Sequence, residues 1–251
     1  MKESSKPEGP APTAIAQRKR EERSARMAWI LDAALDLATE EGLGAVTTTR
    51  LAKKLGYTVG AFYRYWESID ELLAALHRRT AELFYESMWQ AWIPARDRLA
   101  DLTKRRTAAV RALSSLVLLP LLYQRLAKEH PKHFELVGQL VTRSWHYIDE
   151  AQQEHLNALV LPRITEVIAV FAAAPEAGAL SAGDPIVRTM TLWIGVHGAL
   201  AVRPLAERHP DLVDRDALFL AMVRSLLLGW GASPVDLDKA LELAKRAIDK
   251  R

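Results

Sequence analysis

Residues 47–66 read TTTRLAKKLGYTVGAFYRYW, and every charged residue in this stretch is basic. Ala52 and Leu55 lie at helical spacing and predict a short helix that ends at Gly56. Thr58 can cap a second short helix, VGAFYRYW, which begins soon after the glycine. Two short helices joined by so brief a turn predict a helix-turn-helix.

Three residues of this stretch match the packing that a helix-turn-helix requires. The two helices cross closely, which needs a small residue in the first helix, a glycine able to adopt positive φ in the turn, and a large apolar residue where the second helix returns to the core. Ala52, Gly56 and Phe62 stand in that order at offsets of four and six. We therefore expect the second helix to be presented to the major groove of DNA.

The second helix begins with small side chains, which would let its backbone approach base edges. Val59 can contact a thymine methyl group, and the basic and phenolic side chains around it can contact phosphates. The predicted DNA-binding residues are Thr48, Arg50, Lys53, Thr58, Val59, Gly60, Ala61, Tyr63, Arg64 and Tyr65. Thr48 is also expected to cap the first helix. Tyr63 and Tyr65 lie two residues apart and cannot share a helix face, so we favour Tyr63 for the phosphate contact.

The remainder of the chain also reads as helix. Upstream, Ile30, Ala34 and Leu37 recur at helical spacing, and Gly42 predicts the end of that helix. Downstream, a capping box from Ser68 to Glu71 opens a long amphipathic helix that is expected to end before Pro94. Further helical segments are predicted near 97–128, 132–148, 150–173, 184–207, 214–229 and 235–249. The predicted fold class is all-α, with three short helices in front of a larger helical body.

The composition of the chain excludes several classes of protein. The 251 residues are 49% hydrophobic, which is enough to bury a core, and they include no cysteine. Disulfides and thiolate metal sites are therefore excluded, and a reducing compartment is favoured. The net charge is only +3, so the basic stretch is a local feature. The longest apolar stretches are too short or interrupted to span a bilayer, and the N-terminus lacks a secretion signal, so we expect a cytoplasmic protein.

The run ILDAALDLATEEGLGAVTTTRLAKKLGYTVGAFYRYWESIDELLAAL resembles the N-terminal DNA-binding domain of the TetR (tetracycline-repressor-like) regulator family. The resemblance covers roughly residues 26–76 and includes the order T-T-x-x-L-A, L-G-Y-T-x-G-x-F-Y-R-Y-W and S-x-x-E-L-L. It implies a homodimer whose C-terminal helices form a four-helix interface and a ligand pocket, and whose operator is released when a small molecule binds. It also implies phosphate contacts at Thr48 and Tyr63, and base contacts at Thr58, Val59 and Gly60.

Three residues depart from the family pattern. Trp66 stands where Phe is usual and Tyr57 where a smaller aliphatic residue is common, and both are expected to repack locally. Ile69 stands where the family often has a phosphate-contacting Lys, which puts that contact in doubt. The basic segment QRKREERSAR, residues 17–26, could replace the contact by reaching phosphates or the minor groove, or it could be a solvated charge run.

The helical body offers weaker indications. Gly195, Gly198 and Ala199 predict close approach between two apolar helices within 184–230, as a dimer interface or as plain core. Pro120 is expected to kink or break its helix and thereby open a cavity. The candidate ligand-binding residues are Tyr123, Trp145, Trp193 and His197, with core packing as the alternative. The stripe of His146, Glu150 and Glu154 is interpreted as a solvated face, and no metal or cofactor is predicted.

The sequence thus predicts a ligand-responsive transcriptional regulator that acts as a repressor. The predicted domains are a disordered tail (1–17), a helix-turn-helix DNA-binding domain (18–68) and a helical ligand-binding and dimerisation domain (69–251). The expected partners are a double-stranded DNA operator, a small-molecule effector with substantial apolar surface and a second copy of the chain, but no membrane. No phosphate-binding loop or nucleophile motif is present, so an enzyme is not predicted. The alternatives are a helical dimerisation adaptor, or a small-molecule-binding enzyme, without DNA binding.

Overall fold

A computed structural model of the chain describes residues 14–143 and 150–249. The described residues form helices and no strands, which confirms the all-α prediction. The helices are α1 (Ala14–Glu41), α2 (Thr48–Leu55), α3 (Val59–Phe62), α4 (Ile69–Thr103), α5 (Ala108–Glu129), α6 (Pro131–Arg143), α7 (Glu150–Ala173), α8 (Pro185–Ala201), α9 (Arg203–Arg208), α10 (Arg215–Gly229) and α11 (Pro234–Ile248). The chain divides into two compact units, with the boundary between Leu76 and His77.

The N-terminal unit is organised around one face of α1. Ile30, Ala34 and Leu37 are buried on that face, as their spacing predicts. Gly42 has a φ of 91° and follows the last residue of α1, which confirms it as the stop. A 3-10 turn at Leu43–Ala45 then leads to α2, and α2 in turn packs against α3.

Helix α1 begins inside the segment that was predicted to be a disordered tail. Residues 14–17 of that tail belong to α1, and residues 1–13 lie outside the described part of the chain. The basic segment 17–26 is likewise helical and exposed, and Arg18 pairs with Glu22 one turn later at 2.9 Å. Pairing within the segment leaves less of its positive charge uncompensated than the sequence alone indicates.

The prediction that the fourth helix ends before Pro94 is wrong, because α4 continues through Pro94 to Thr103. A proline inside a helix removes one backbone hydrogen bond and costs about 3 kcal/mol. Trp92, Ala95 and Leu99 are all buried, so the apolar face of α4 continues on both sides of the proline. The burial of this face offsets the cost of the proline and keeps the chain helical.

The segment predicted near 97–128 is divided between two helices. Its first residues complete α4, and α5 begins at Ala108 after the side chain of Thr107 accepts a hydrogen bond from the Val110 amide at 3.3 Å. Helix α5 continues through Pro120 from Ala108 to Glu129, so of the predicted kink or break the break does not occur. In the same way, the segment predicted near 184–207 is divided at Val202 into α8 and α9.

The C-terminal unit, which starts at His77, is packed around α5. More than half of the residues of α5 are buried, and it contacts α6, α7, α8 and, most extensively, α11. Two segments, 108–129 and 185–208, are long and apolar enough by composition to cross a membrane. The first of these is α5, whose burial inside the protein accounts for its apolar composition.

Helices α8 and α10 approach each other closely at a glycine. A Cβ atom added at Gly195 would lie 2.8 Å from the sulfur of Met222, so only glycine fits there without a shift. This confirms the close approach predicted for Gly195. Gly198 differs, because nothing in the described structure lies within 4 Å of a Cβ added there, and its face of α8 is exposed.

Candidate nucleic-acid interface

The turn between α2 and α3 has the geometry that its sequence predicts. Gly56 adopts left-handed φ and ψ values of 68° and 29°, and the Tyr57 amide donates a hydrogen bond to the Ala52 carbonyl at 2.8 Å. Ala52 and Phe62 are both buried, so the small and the large residue face the core on either side of the turn. The backbone bond across the glycine and the two buried side chains together hold α3 at a defined angle to α2.

Threonine side chains cap both short helices. The Thr58 hydroxyl oxygen accepts a hydrogen bond from the Ala61 amide at 3.2 Å, as predicted. The predicted cap of α2 at Thr48 is wrong, because Thr47 accepts the corresponding hydrogen bond from the Arg50 amide at 3.3 Å. A capping residue needs extended backbone, which Thr47 has, whereas Thr48 is already the first residue of the helix. The side chain of Thr48 is therefore not needed as the cap.

Helix α3 ends at Phe62, so the predicted continuation through Trp66 is wrong, and Tyr63, Arg64 and Tyr65 lie in the turn that follows. One side of α3 and of this turn faces solvent, and the other side faces the core. Val59 is 39% exposed and Tyr63 is 53% exposed, and a Cβ added at Gly60 would meet nothing within 4 Å. Ala61, by contrast, is 8% exposed and packs inward beside Phe62, so its side chain is turned away from any surface partner. Thr58 and Arg64 are exposed and Tyr65 is half-buried. Along the chain, the exposed residues are thus small at 58–60 and larger and polar at 63–64.

The basic side chains of this region differ in how far their charge is compensated. One guanidinium nitrogen of Arg50 lies 2.6 Å from each carboxylate oxygen of Glu41. The ammonium of Lys54 lies 3.8 Å from Asp36 and 3.7 Å from Glu40. These are exposed pairs, which contribute little and exchange readily with another anion.

Lys53 and Arg64 are exposed and form no ion pair with any described residue. The positive charge of this face is therefore concentrated at two side chains, although the linear sequence shows four basic residues without an acid between them. The carboxylates that pair with Arg50 and Lys54 come from the C-terminal half of α1, which is distant from both basic residues in the sequence.

The aromatic residues of the region divide between the core and the surface. Phe62 and Trp66 are buried. The Tyr57 ring packs edge-on against Trp29 with a centroid separation of 5.7 Å, and the guanidinium of Arg26 lies 5.2 Å from the Trp29 ring centre. The structure thus accommodates Tyr57 and Trp66 by local packing, as expected, and leaves Tyr63 as the exposed phenol.

The family model described as bacterial regulatory proteins, tetR family, matches residues 30–76, which include the turn and both short helices. The N-terminal unit of this chain therefore contains a TetR-family domain. The match covers the N-terminal unit from the middle of α1 into α4, the part of the structure in which the exposed face of α3 lies.

Solved structures share the fold over most of the chain. The protein SCO4313 is 21% identical, with a TM-score of 0.55 over 83% of this chain and 98% of that one. SmeT, the repressor of the Stenotrophomonas maltophilia multidrug efflux pump SmeDEF, is 20% identical, with a TM-score of 0.51 over 84% and 92%. RolR in complex with resorcinol is 18% identical, with a TM-score of 0.50 over 92% and 98%. No curated protein matches the chain.

The candidate ligand residues of the body lie in a packed aromatic cluster. The Tyr123 hydroxyl oxygen and His197 Nδ1 are 3.0 Å apart, both side chains are buried, and the Trp193 ring stacks on the His197 ring at 6.0 Å. Burial lowers the pKa of His197 and raises that of Tyr123, so burial favours the neutral form of both groups. The structure brings these three residues together, while Trp145 lies outside the described residues.

A separate cavity lies in the C-terminal unit between α4, α5 and α7. Its volume is about 520 Å³, which falls within the range of small-molecule sites, and its walls are mostly apolar. The apolar lining includes Trp92, Leu99, Leu116, Leu118, Val167 and Val170. Arg96, Lys104, Arg111 and Glu166 are the charged residues of the lining.

This cavity was not predicted from the sequence, and none of the candidate ligand residues that are described lines it. Trp92, Arg96, Leu99 and Thr103 share one face of α4 at helical spacing, which was the available signal. The signal was lost because the helix was expected to stop before Pro94, so the residues beyond it were assigned to a different segment. Among the described residues, no three His, Asp or Glu side chains cluster as a metal site would require.

Proposed function

We propose that this TetR-family protein is a ligand-responsive transcriptional repressor that binds a near-palindromic operator as a homodimer and releases it when a small molecule binds the helical body. The observation that carries the proposal is the exposed face of α3 and of the residue after it, where Val59, Gly60 and Tyr63 are accessible beside a capped, glycine-hinged turn. Such a face fits the major groove of B-form DNA. A cytoplasmic location accords with this function.

The proposed DNA contacts follow from exposure and charge. Thr58, Val59 and Gly60 read base edges, because their small side chains let the backbone come close. Lys53 and Arg64 contact phosphates with their uncompensated charge, and the Tyr63 hydroxyl adds a hydrogen bond. Thr48, Arg50 and Tyr65 complete the contacts to the backbone, and Arg50 exchanges its Glu41 partner for a phosphate. We leave Ala61 out of the contact set because its side chain is buried.

The proposed dimer forms through α8 and α10. Ile186, Val187, Met190 and Ile194 are large, apolar and exposed on one face of α8, and Leu218 is exposed on α10, which packs beside α8. Exposed apolar stripes of this kind mark interaction surfaces, and the open space at Gly198 leaves room for a second backbone to come close. A dimer places two α3 helices on one duplex, with half-sites about 34 to 36 Å apart or a multiple of that distance.

The proposed effector acts through the body of the protein. RolR is a neighbour solved with resorcinol and SmeT is described as a repressor, and both share the fold of this chain. By analogy, a small molecule bound in the helical body favours a spacing of the two α3 helices that no longer matches the operator. A coupling of about 1 to 3 kcal/mol would weaken operator binding roughly five- to 150-fold, and the operator would weaken ligand binding by the same factor.

A gel shift on DNA from the gene's own promoter region tests the proposal. The full chain should retard the fragment at low salt, and the retarded band should disappear as salt is added, because phosphate contacts release counterions. The variant Lys53→Gln should lose part of this salt dependence, while Lys239→Gln, which removes a positive charge from α11, should not. A full chain that is folded but retards no promoter fragment at any salt concentration would refute DNA binding and favour the adaptor or enzyme alternatives.

A further inference from the structure

The cavity between α4, α5 and α7 has an unequal distribution of charge at its rim. Arg96, Lys104 and Arg111 line it with positive charge, and Glu166 is the one carboxylate among the lining residues. The chain from 96 to 111, which supplies most of this rim, contains six basic and two acidic residues. The entrance therefore attracts anions into a space whose walls are apolar.

Arg111 is the cation at this rim that is free to bind a ligand. One of its terminal nitrogens donates a hydrogen bond to the Arg106 carbonyl at 2.7 Å, which holds the guanidinium in place. No carboxylate of a described residue lies within ion-pair distance of Arg111, whereas Arg96 lies 3.4 Å from Asp97 and Lys104 lies 2.7 Å from Asp101. A positioned guanidinium with unused donors is suited to a carboxylate or a sulfonate.

The helix that carries Arg111 adds to the same preference. Helix α5 begins at Ala108, so Arg111 lies in its first turn, where the positive end of the helix dipole is located. The opposite preference, for a cation, would depend on Glu166, but that carboxylate already pairs with Arg163 one turn earlier on α7. Both observations favour a negatively charged ligand over a positively charged one.

We propose that the effector of this protein is an amphipathic organic anion, whose apolar body fills the α4–α5–α7 cavity and whose acidic group pairs with Arg111 at the rim. The apolar part is held by Leu99, Leu116 and Val170, and the acidic group remains at the solvent-exposed edge, where its desolvation cost is small. The effector role rests on the proposed regulator function, whereas the preference of the cavity for anions can be measured by itself.

Two fluorescent probes with related ring systems test the charge preference. Anilinonaphthalene sulfonate carries a sulfonate, and N-phenylnaphthylamine has the same aromatic system without it. Each is titrated into the full chain. The Arg111→Gln variant should bind the sulfonate probe roughly three- to tenfold more weakly, as expected for a charge-assisted hydrogen bond at an exposed edge. Its affinity for the neutral probe should be unchanged.

Two further variants locate the effect. Arg208→Gln removes one positive charge from an exposed position outside the cavity lining, so it should change the binding of neither probe. Ala100→Trp places a large ring at an exposed position on the cavity lining and should weaken the binding of both probes. Failure of the sulfonate probe to bind, an equal loss for Arg111→Gln and Arg208→Gln, or unchanged binding in Ala100→Trp would each overturn the proposal.

Operator binding is measured on the same preparation, so a failure of the anion proposal can be distinguished from a failure of the proposed regulator function. If promoter DNA is bound but Arg111→Gln leaves sulfonate binding unchanged, the anion proposal is wrong and the regulator function stands. If sulfonate binding depends on Arg111 but no promoter DNA is bound, the cavity is an anion site and the regulator function is wrong. If the anion proposal and the regulator function are both right, the sulfonate probe should release bound DNA from the wild-type protein. Release from Arg111→Gln should need a higher probe concentration.

Discussion

Replacing Gly56 by alanine tests the turn on which the presentation of α3 depends. Gly56 has a φ of 68°, and a Cβ added there would meet nothing within 4 Å, so the substitution creates strain without a steric clash. A left-handed conformation costs a residue with a Cβ roughly 1–2 kcal/mol. We expect Gly56→Ala to destabilise the helix-turn-helix by about that amount, since the Tyr57 amide must still bond the Ala52 carbonyl across the turn.

Two other glycines supply matched controls. Gly44 and Gly60 also have open space around an added Cβ, but neither has a positive φ. Gly44→Ala should be close to neutral. Gly60→Ala should stabilise α3 by up to about 1 kcal/mol, because alanine is the better helix former. The three variants add the same methyl group, so differences between their effects should come mainly from the backbone conformation at each position.

Amide hydrogen exchange of the full chain measures the effect locally. A loss of 1–2 kcal/mol should speed exchange of the 47–66 amides roughly five- to thirtyfold in Gly56→Ala. Exchange in α5 and α11 should remain unchanged. Equal exchange in Gly56→Ala and Gly44→Ala would mean that the turn does not require the left-handed conformation, and the structural explanation for the orientation of α3 would be wrong.

Four further outcomes are expected. Tyr63→Phe should weaken binding to all DNA sequences similarly, by about 1 kcal/mol per half-site, and an effect confined to some sequences in a binding-site library would argue against a phosphate contact. Val59→Ala should change the sequence preference, and an unchanged preference across the same library would mean that Val59 does not read bases. Ile69→Lys should tighten operator binding and steepen its salt dependence, as measured by titration at several salt concentrations. Burial lowers the pKa of His197 below its unfolded value, so stability should fall as the pH drops from about 6.5 toward the folded pKa, and His197→Gln should reduce this fall in urea melts.

The helix-turn-helix could be predicted because its requirements are local in sequence. Ala52, Gly56 and Phe62 lie within eleven residues, and each is needed for a separate steric reason that the structure confirms. The helix caps at Thr58 and Ser68 were recognised for the same reason. Thr47 was missed because adjacent threonines offer the same chemistry, and only backbone conformation separates the cap from the first helical residue.

Features that depend on contacts between distant segments could not be predicted. The pairing of Arg50 with Glu41 requires the end of α1 to lie beside the start of α2, and a charge count along the chain does not contain that information. The cavity required α4 to continue through Pro94, which depends on the burial of Trp92 and Leu99 against the rest of the body. In both cases tertiary packing outweighed the local signal.

A hydroxyl-radical footprint of the full chain on its own promoter DNA tests the central claim that α3 enters the major groove. The account predicts two protected patches on one face of the duplex, with centres about 34 to 36 Å apart or a multiple of that distance, and both patches should weaken in Tyr63→Phe. A folded protein that protects no region, or a protected region that is unaffected by substitutions at Val59, Lys53 and Tyr63, would contradict it.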